Sequence, residues 1–197
     1  VSISPASRSL AYGTSSTTFT VSGTGTLSAS DNNSTATVSV SGSTLTVSNL
    51  ASINAGTTVT ITVTAAQATN YNSASKTCTV TISKASISPT VNMSGYTYGG
   101  TKSSPSVSGN TGGGSVTYYY NRSNSNSGGT AWSNVSSSTS LNAGTYYMYA
   151  VVGSTTNYNG ATTATKSFTI SRASISPTVN MSGYTYGGTK SSPSVSG

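Results

Sequence analysis

Along much of the chain, apolar residues fall at every second position with Ser or Thr between them. Phe19 and Val21, Val38 and Val40, and Leu45 and Val47 pair off in this way. So do Val59, Ile61 and Val63 in TTVTITVTAA, and Cys78, Val80 and Ile82 in KTCTVTIS. Successive side chains of a strand point to opposite faces, so this period describes strands with one face in a core and the other in water. The stretches SGTGT, SDNNS and SVSGS separate the runs and read as turns. No stretch carries helical periodicity. The pattern predicts an all-β fold.

The second half repeats the plan with more aromatic residues, in SVTYYYNR, GTYYMYAVV and KSFTIS. Matching Tyr146, Met148 and Ala150 to Val59, Ile61 and Val63 turns the first set inward and leaves Tyr147 and Tyr149 on the outer face. NTGGGS at 110–115 and NSNSGGT at 124–130 flank a strand and read as exposed loops.

The pattern recurs at a nearly constant distance, with small insertions. INAGTT at 53–58 returns as LNAGTY at 141–146, TNYNSA at 69–74 as TNYNGA at 156–161, and KTCTVTIS at 76–83 as TKSFTIS at 165–171. Arg172–Gly197 then repeats Lys84–Gly109 with one change, Lys84 to Arg172. Two related units at 1–84 and 85–172 follow, with an incomplete third at 173–197 that is near-identical to 85–109. A unit of this size suits a sandwich of about seven strands. Within TISKASISP the inward positions run even through Ile82 and switch to odd at Ile87, and the same switch falls between Ile170 and Ile175. No Gly/Ser linker intervenes at either place, which predicts a stiff, elongated string of units. The partial third unit reads as the start of a further copy in a longer array, continuing with NTGGGSVTYYY. The rival is a strand-exchange element that completes a neighbouring chain.

Composition narrows the functional classes. Ser and Thr make up 80 of 197 residues and charged residues 5%, so hydroxyl and amide groups carry the hydration of the surface. Net charge is +7, but Arg8, Lys76, Lys84, Lys102, Arg122, Lys166, Arg172 and Lys190 are scattered, so no nucleic-acid partner is expected. Cys78 is the only cysteine and sits in phase with Val80 and Ile82, as a small buried hydrophobe would. No apolar run approaches the ~20 residues of a membrane span.

LNAGTYYMYAVVGSTTNYNGATTATKSFTIS and its partner INAGTTVTITVTAAQATNYNSASKTCTVTIS resemble the bacterial immunoglobulin-like (Big) repeats. The resemblance covers both complete units. It implies tandem immunoglobulin-like β-sandwiches, found as extracellular stalks of adhesins and other surface proteins and also in phage structural proteins. Some relatives carry calcium sites, disulfides or isopeptide cross-links, and this sequence departs from all three.

His and Glu are absent and Asp31 is the sole acid. Paired carboxylates, a Ser–His–Asp relay and a calcium or zinc ligand set cannot be assembled, so no enzyme activity, cofactor or metal is expected. A Lys–Asn isopeptide bond needs a carboxylate nearby, and residues 85–172 have none. Tyr118, Tyr119, Tyr120 and Trp132 lie beside glycine-rich loops and are the candidate ligand contacts, where rings could stack on sugar faces. Lys102 and Lys190 hold equivalent loop positions, so a site using them would recur along an array. The expected role is a stalk or spacer on a bacterial cell surface, with neighbouring repeats as partners. Surface glycans, or other copies of the chain in a filament, are the alternatives.

Overall fold

The computed structural model describes residues 1–197. The first half forms β1 (Ser2–Ser4), β2 (Ser7–Ala11), β3 (Thr17–Ser22), β4 (Leu27–Asp31), β5 (Thr37–Ser41), β6 (Thr44–Ser48), β7 (Thr58–Ala65) and β8 (Ala74–Ser83). They make two four-stranded sheets, β1-β3-β6-β5 and β2-β8-β7-β4. The chain changes sheets between β1 and β2, at Pro5, so β1 pairs antiparallel with β3 while β2 runs parallel to β8. The alternating Val, Ile, Leu and Phe residues of both sheets meet in one core that includes Phe19, Leu45, Val47, Ile61, Val80 and Cys78. A two-residue turn joins β5 to β6. Its first residue, Gly42, has φ 57° and Ser43 does not, the pattern of a type II′ hairpin whose twist matches its strands.

The second half forms β9 (Thr90–Asn92), β10 (Tyr96–Thr97), β11 (Ser106–Ser108), β12 (Val116–Asn121), β13 (Thr130–Ala131), β14 (Gly144–Val152), β15 (Ala161–Thr162) and β16 (Lys166–Ser171). The order β10-β16-β14-β12 reproduces β2-β8-β7-β4, including the parallel first pair. The opposing layer differs. It holds only the β9–β11 pair, and nothing corresponds to β5 and β6. In their place β13 adds to the edge of β12, and a single 3-10 turn at Trp132–Asn134 delivers Trp132 and Val135 to the core. One bulky indole and its neighbours thus fill space that two strands fill in the first half.

Tyr146, Met148 and Ala150 point inward and are buried, as the alternation predicts. Tyr149 lies on the other face, stacked on Tyr119 with ring centroids 5.3 Å apart. It is nevertheless only 4% exposed, because the 123–129 segment folds over it and the Gly129 N–H donates to its hydroxyl at 3.0 Å. The segment is held down from the far side by the Asn126 amide, which donates to the Thr163 carbonyl at 3.2 Å. An outward position is therefore covered by a loop, which period-2 alternation cannot register.

The two cores are separate, one drawn from Ile3–Ile82 and the other from Val91–Ile170. Beyond them, β17 (Thr178–Asn180) and β18 (Ser194–Ser196) form an antiparallel pair that contributes no residue to either core.

Candidate functional site

The four aromatic candidates do not form one surface. In β12, Tyr118 and Tyr120 face the core, while Tyr119 lies on the opposite face against Tyr149. Trp132 is 7% exposed, with its ring edge-on to both Tyr120 and Phe168. Lys102 caps the indole at 5.2 Å from the ring centroid and donates to the Val135 carbonyl. Tyr118 and Trp132 do border a shallow cleft of about 240 Å³ beside Val116.

Three of the eight cations lie over aromatic rings: Lys102 over Trp132, Arg8 over Phe19, and Arg122 over Tyr146. Each covers the rim of a core with its stem and rests its charge on a π face, and none is gathered into a basic stripe. Arg122 also donates to the Tyr146 hydroxyl at 2.7 Å, and that hydroxyl donates to the Asn142 carbonyl at 2.9 Å. Asp31 ends β4 by accepting the Asn33 N–H at 2.9 Å, which makes it a turn residue. No three His, Cys, Asp or Glu side chains come together. Burial pushes the Cys78 thiol above its ordinary range, so it is a poor nucleophile where it sits.

The most specific constellation of polar groups lies where the two halves meet. The TNYN turn of the second half presents Asn157 and Tyr158 to the end of the first. The Asn157 amide reads two partners at once: its Oδ1 accepts the Ala55 N–H at 2.9 Å and its Nδ2 donates to Asn54 Oδ1 at 3.0 Å. The connecting residue Ala85 joins in through its backbone. Its N–H donates to the Asn157 carbonyl and its carbonyl accepts the Asn159 N–H, both at 2.9 Å. Tyr158 packs edge-on against Tyr12 with ring centroids 5.5 Å apart. Behind it lies Gly112, where a Cβ would come within 2.7 Å of the tyrosine Cβ, so only glycine lets the ring sit there.

No protein-family model matches this chain, and no curated protein matches it. Two hydrogen bonds between the halves, made by a single amide with opposite polarity at its two ends, one aromatic contact, and two further bonds that tie the connecting residue Ala85 to the turn fit one relative orientation of the halves. The TNYN repeat was visible in the sequence. Its role was not, because its partners lie about 100 residues away, at Asn54 and Ala55.

Proposed function

We propose that this chain is a repeat segment of a long, non-catalytic structural protein, built of tandem immunoglobulin-like β-sandwiches and serving as a stalk or spacer on a bacterial surface. The observation that carries this reading is the Asn157 joint. A polypeptide that must transmit length needs its units oriented, and here the connecting residue itself is hydrogen-bonded into the contact. Strands supply reach: β8 has 10 residues, or ~33 Å at the usual rise. In the first half the strand faces turned from the core are clothed mainly in Ser and Thr, which hold water without titrating. Repetition of the unit, and the near-identical third beginning, support lengthening by duplication.

Small-angle scattering tests the reading. Two units end to end give a radius of gyration well above the ~16 Å of a compact chain of this length, and a value near 16 Å overturns it. Release of the protein from intact cells by external protease tests its location. A second reading, an adhesive module, draws on the cleft beside Tyr118. Loss of glycan-array binding on Tyr118→Ala would favour it. Particle mass that grows with concentration would instead favour a filament made by strand addition through β17 and β18.

A further inference from the structure

We propose that the far end of the second unit carries a docking site for an Asn–Tyr turn, and that its occupant is the turn of the unit that begins at Ala173. The inference rests on the array reading above and specifies how successive units are held. At the occupied joint the receiving groups are Tyr12, Asn54 and Ala55, and the connecting residue Ala85 binds the turn from behind. The same groups recur at the other end as Tyr98, Asn142, Ala143 and Ala173.

The correspondence is structural as well as sequential. Tyr12 and Tyr98 each follow the strand that runs parallel to the closing strand, and each donates its N–H to that strand's last residue, Ser83 at 2.8 Å and Ser171 at 2.9 Å. Asn54-Ala55-Gly56 and Asn142-Ala143-Gly144 lead into β7 and β14, and Ala85 and Ala173 follow Lys84 and Arg172. At the occupied joint this place is filled by Tyr158. At the far end, Tyr98, Asn142, Ala143 and Ala173, with Arg172 and Ile175, line an open depression of about 400 Å³.

The chemistry of the place selects the occupant. Asn142 Oδ1 calls for a donor and the Ala143 N–H for an acceptor, and a single carboxamide supplies both where a carboxylate or an apolar side chain cannot. The adjacent apolar floor and Tyr98 take a tyrosine ring. The turn itself folds without a partner: Thr69–Asn72 in the first unit closes through a Tyr71 N–H to Ala68 carbonyl bond at 3.0 Å, with Tyr71 60% exposed. One ring pair and two hydrogen bonds are too few to hold two free chains. They suffice for a covalently attached neighbour, whose effective concentration is of order millimolar.

Adding residues 110–172 after Gly197 completes the third unit, and nitrogen-15 NMR of this longer chain beside the 197-residue chain provides the test. Exchange of the Ala143 amide slows at least about tenfold on extension, and units two and three share one rotational correlation time. Changing the first Asn of the added TNYN turn to Ala restores the original Ala143 rate, as Asn157→Ala does for Ala55. If the third unit folds cooperatively but Ala143 is unchanged and the unit tumbles independently, the docking site is overturned while the array reading stands. If the added unit does not fold, both fall. Protection of Ala143 by self-association of the 197-residue chain, lost with Asn70→Ala, would give the site to a second copy and overturn the assignment.

Discussion

Residues 85–109 and 173–197 have the same sequence and different fates. In both, the first strand pairs with the last in the same register: Val91 opposite Val107, and Val179 opposite Val195. The hairpin is thus a local product. Burial is not. Val91, Met93 and Tyr96 are 2%, 6% and 7% exposed, and their copies Val179, Met181 and Tyr184 are 69%, 58% and 54% exposed. Lys102 caps Trp132, whereas its copy Lys190 has no indole to cap. What separates the two is the company of β12, β14 and β16. A two-stranded ribbon cannot hide its own apolar face, so the same side chains are core in one place and surface in the other.

The largest expected effect comes from placing a charge at the paired valines. Val91→Asp buries an unpaired carboxylate and costs about 4 kcal/mol or more, removing the second unit's thermal transition. Val179→Asp stays within about 0.5 kcal/mol. Calorimetry of the two variants decides the matter, and equal losses would mean that β17 and β18 are covered after all.

The two TNYN turns offer a second contrast. Asn157→Ala removes both side-chain bonds of the joint and lowers the coupled stability of the units by about 1–2 kcal/mol. Asn70→Ala, in the free turn, is neutral. Chemical denaturation of both variants measures the difference. A neutral Asn157→Ala would reduce the joint to a chance contact.

Removing the Tyr96 hydroxyl should help. It is buried with no hydrogen-bond partner, so Tyr96→Phe stabilises the second unit by about 1 kcal/mol. Tyr184→Phe, on the exposed copy, changes nothing measurable. A destabilised Tyr96→Phe would point to a partner for that oxygen.

The smallest effect is a pH dependence. Burial pushes the Tyr96 hydroxyl above its ordinary range, with Tyr146 and Tyr120 adding to the shift, and burial does the same to the Cys78 thiol. Both groups keep their protons in the folded chain after the unfolded chain has lost them. Stability is therefore undiminished below pH ~8.5 and declines as pH climbs through ~9 to 11. Tyr96→Phe flattens the upper part of that decline in a pH series of melting curves, and an unchanged slope would contradict the shift.

The alternation of Val, Ile and Thr revealed the longer strands, their inward faces and the buried Cys78, because strand geometry is written at a spacing of two residues. The repeat was legible as near-identity between 84–109 and 172–197 and as shorter matches such as INAGTT and LNAGTY. Less was legible of the candidate site. Tyr118, Tyr119, Tyr120 and Trp132 are adjacent in sequence or across a hairpin, yet they divide between a core and a loop-covered face. The joint was invisible as such, since Asn157 gains its meaning from Asn54, Ala55 and Ala85.

The sequence by itself determined which residues become strand, where turns fall and that the pattern repeats, all consequences of local backbone and side-chain geometry. Only the tertiary structure decided what covers each face: two strands over the first core, an indole and a 3-10 turn over the second, and a loop over Tyr149. The physical reason is that burial belongs to pairs of surfaces. A periodic stretch states that one of its faces is apolar, but which distant segment meets that face depends on lengths, volumes and connections elsewhere in the chain.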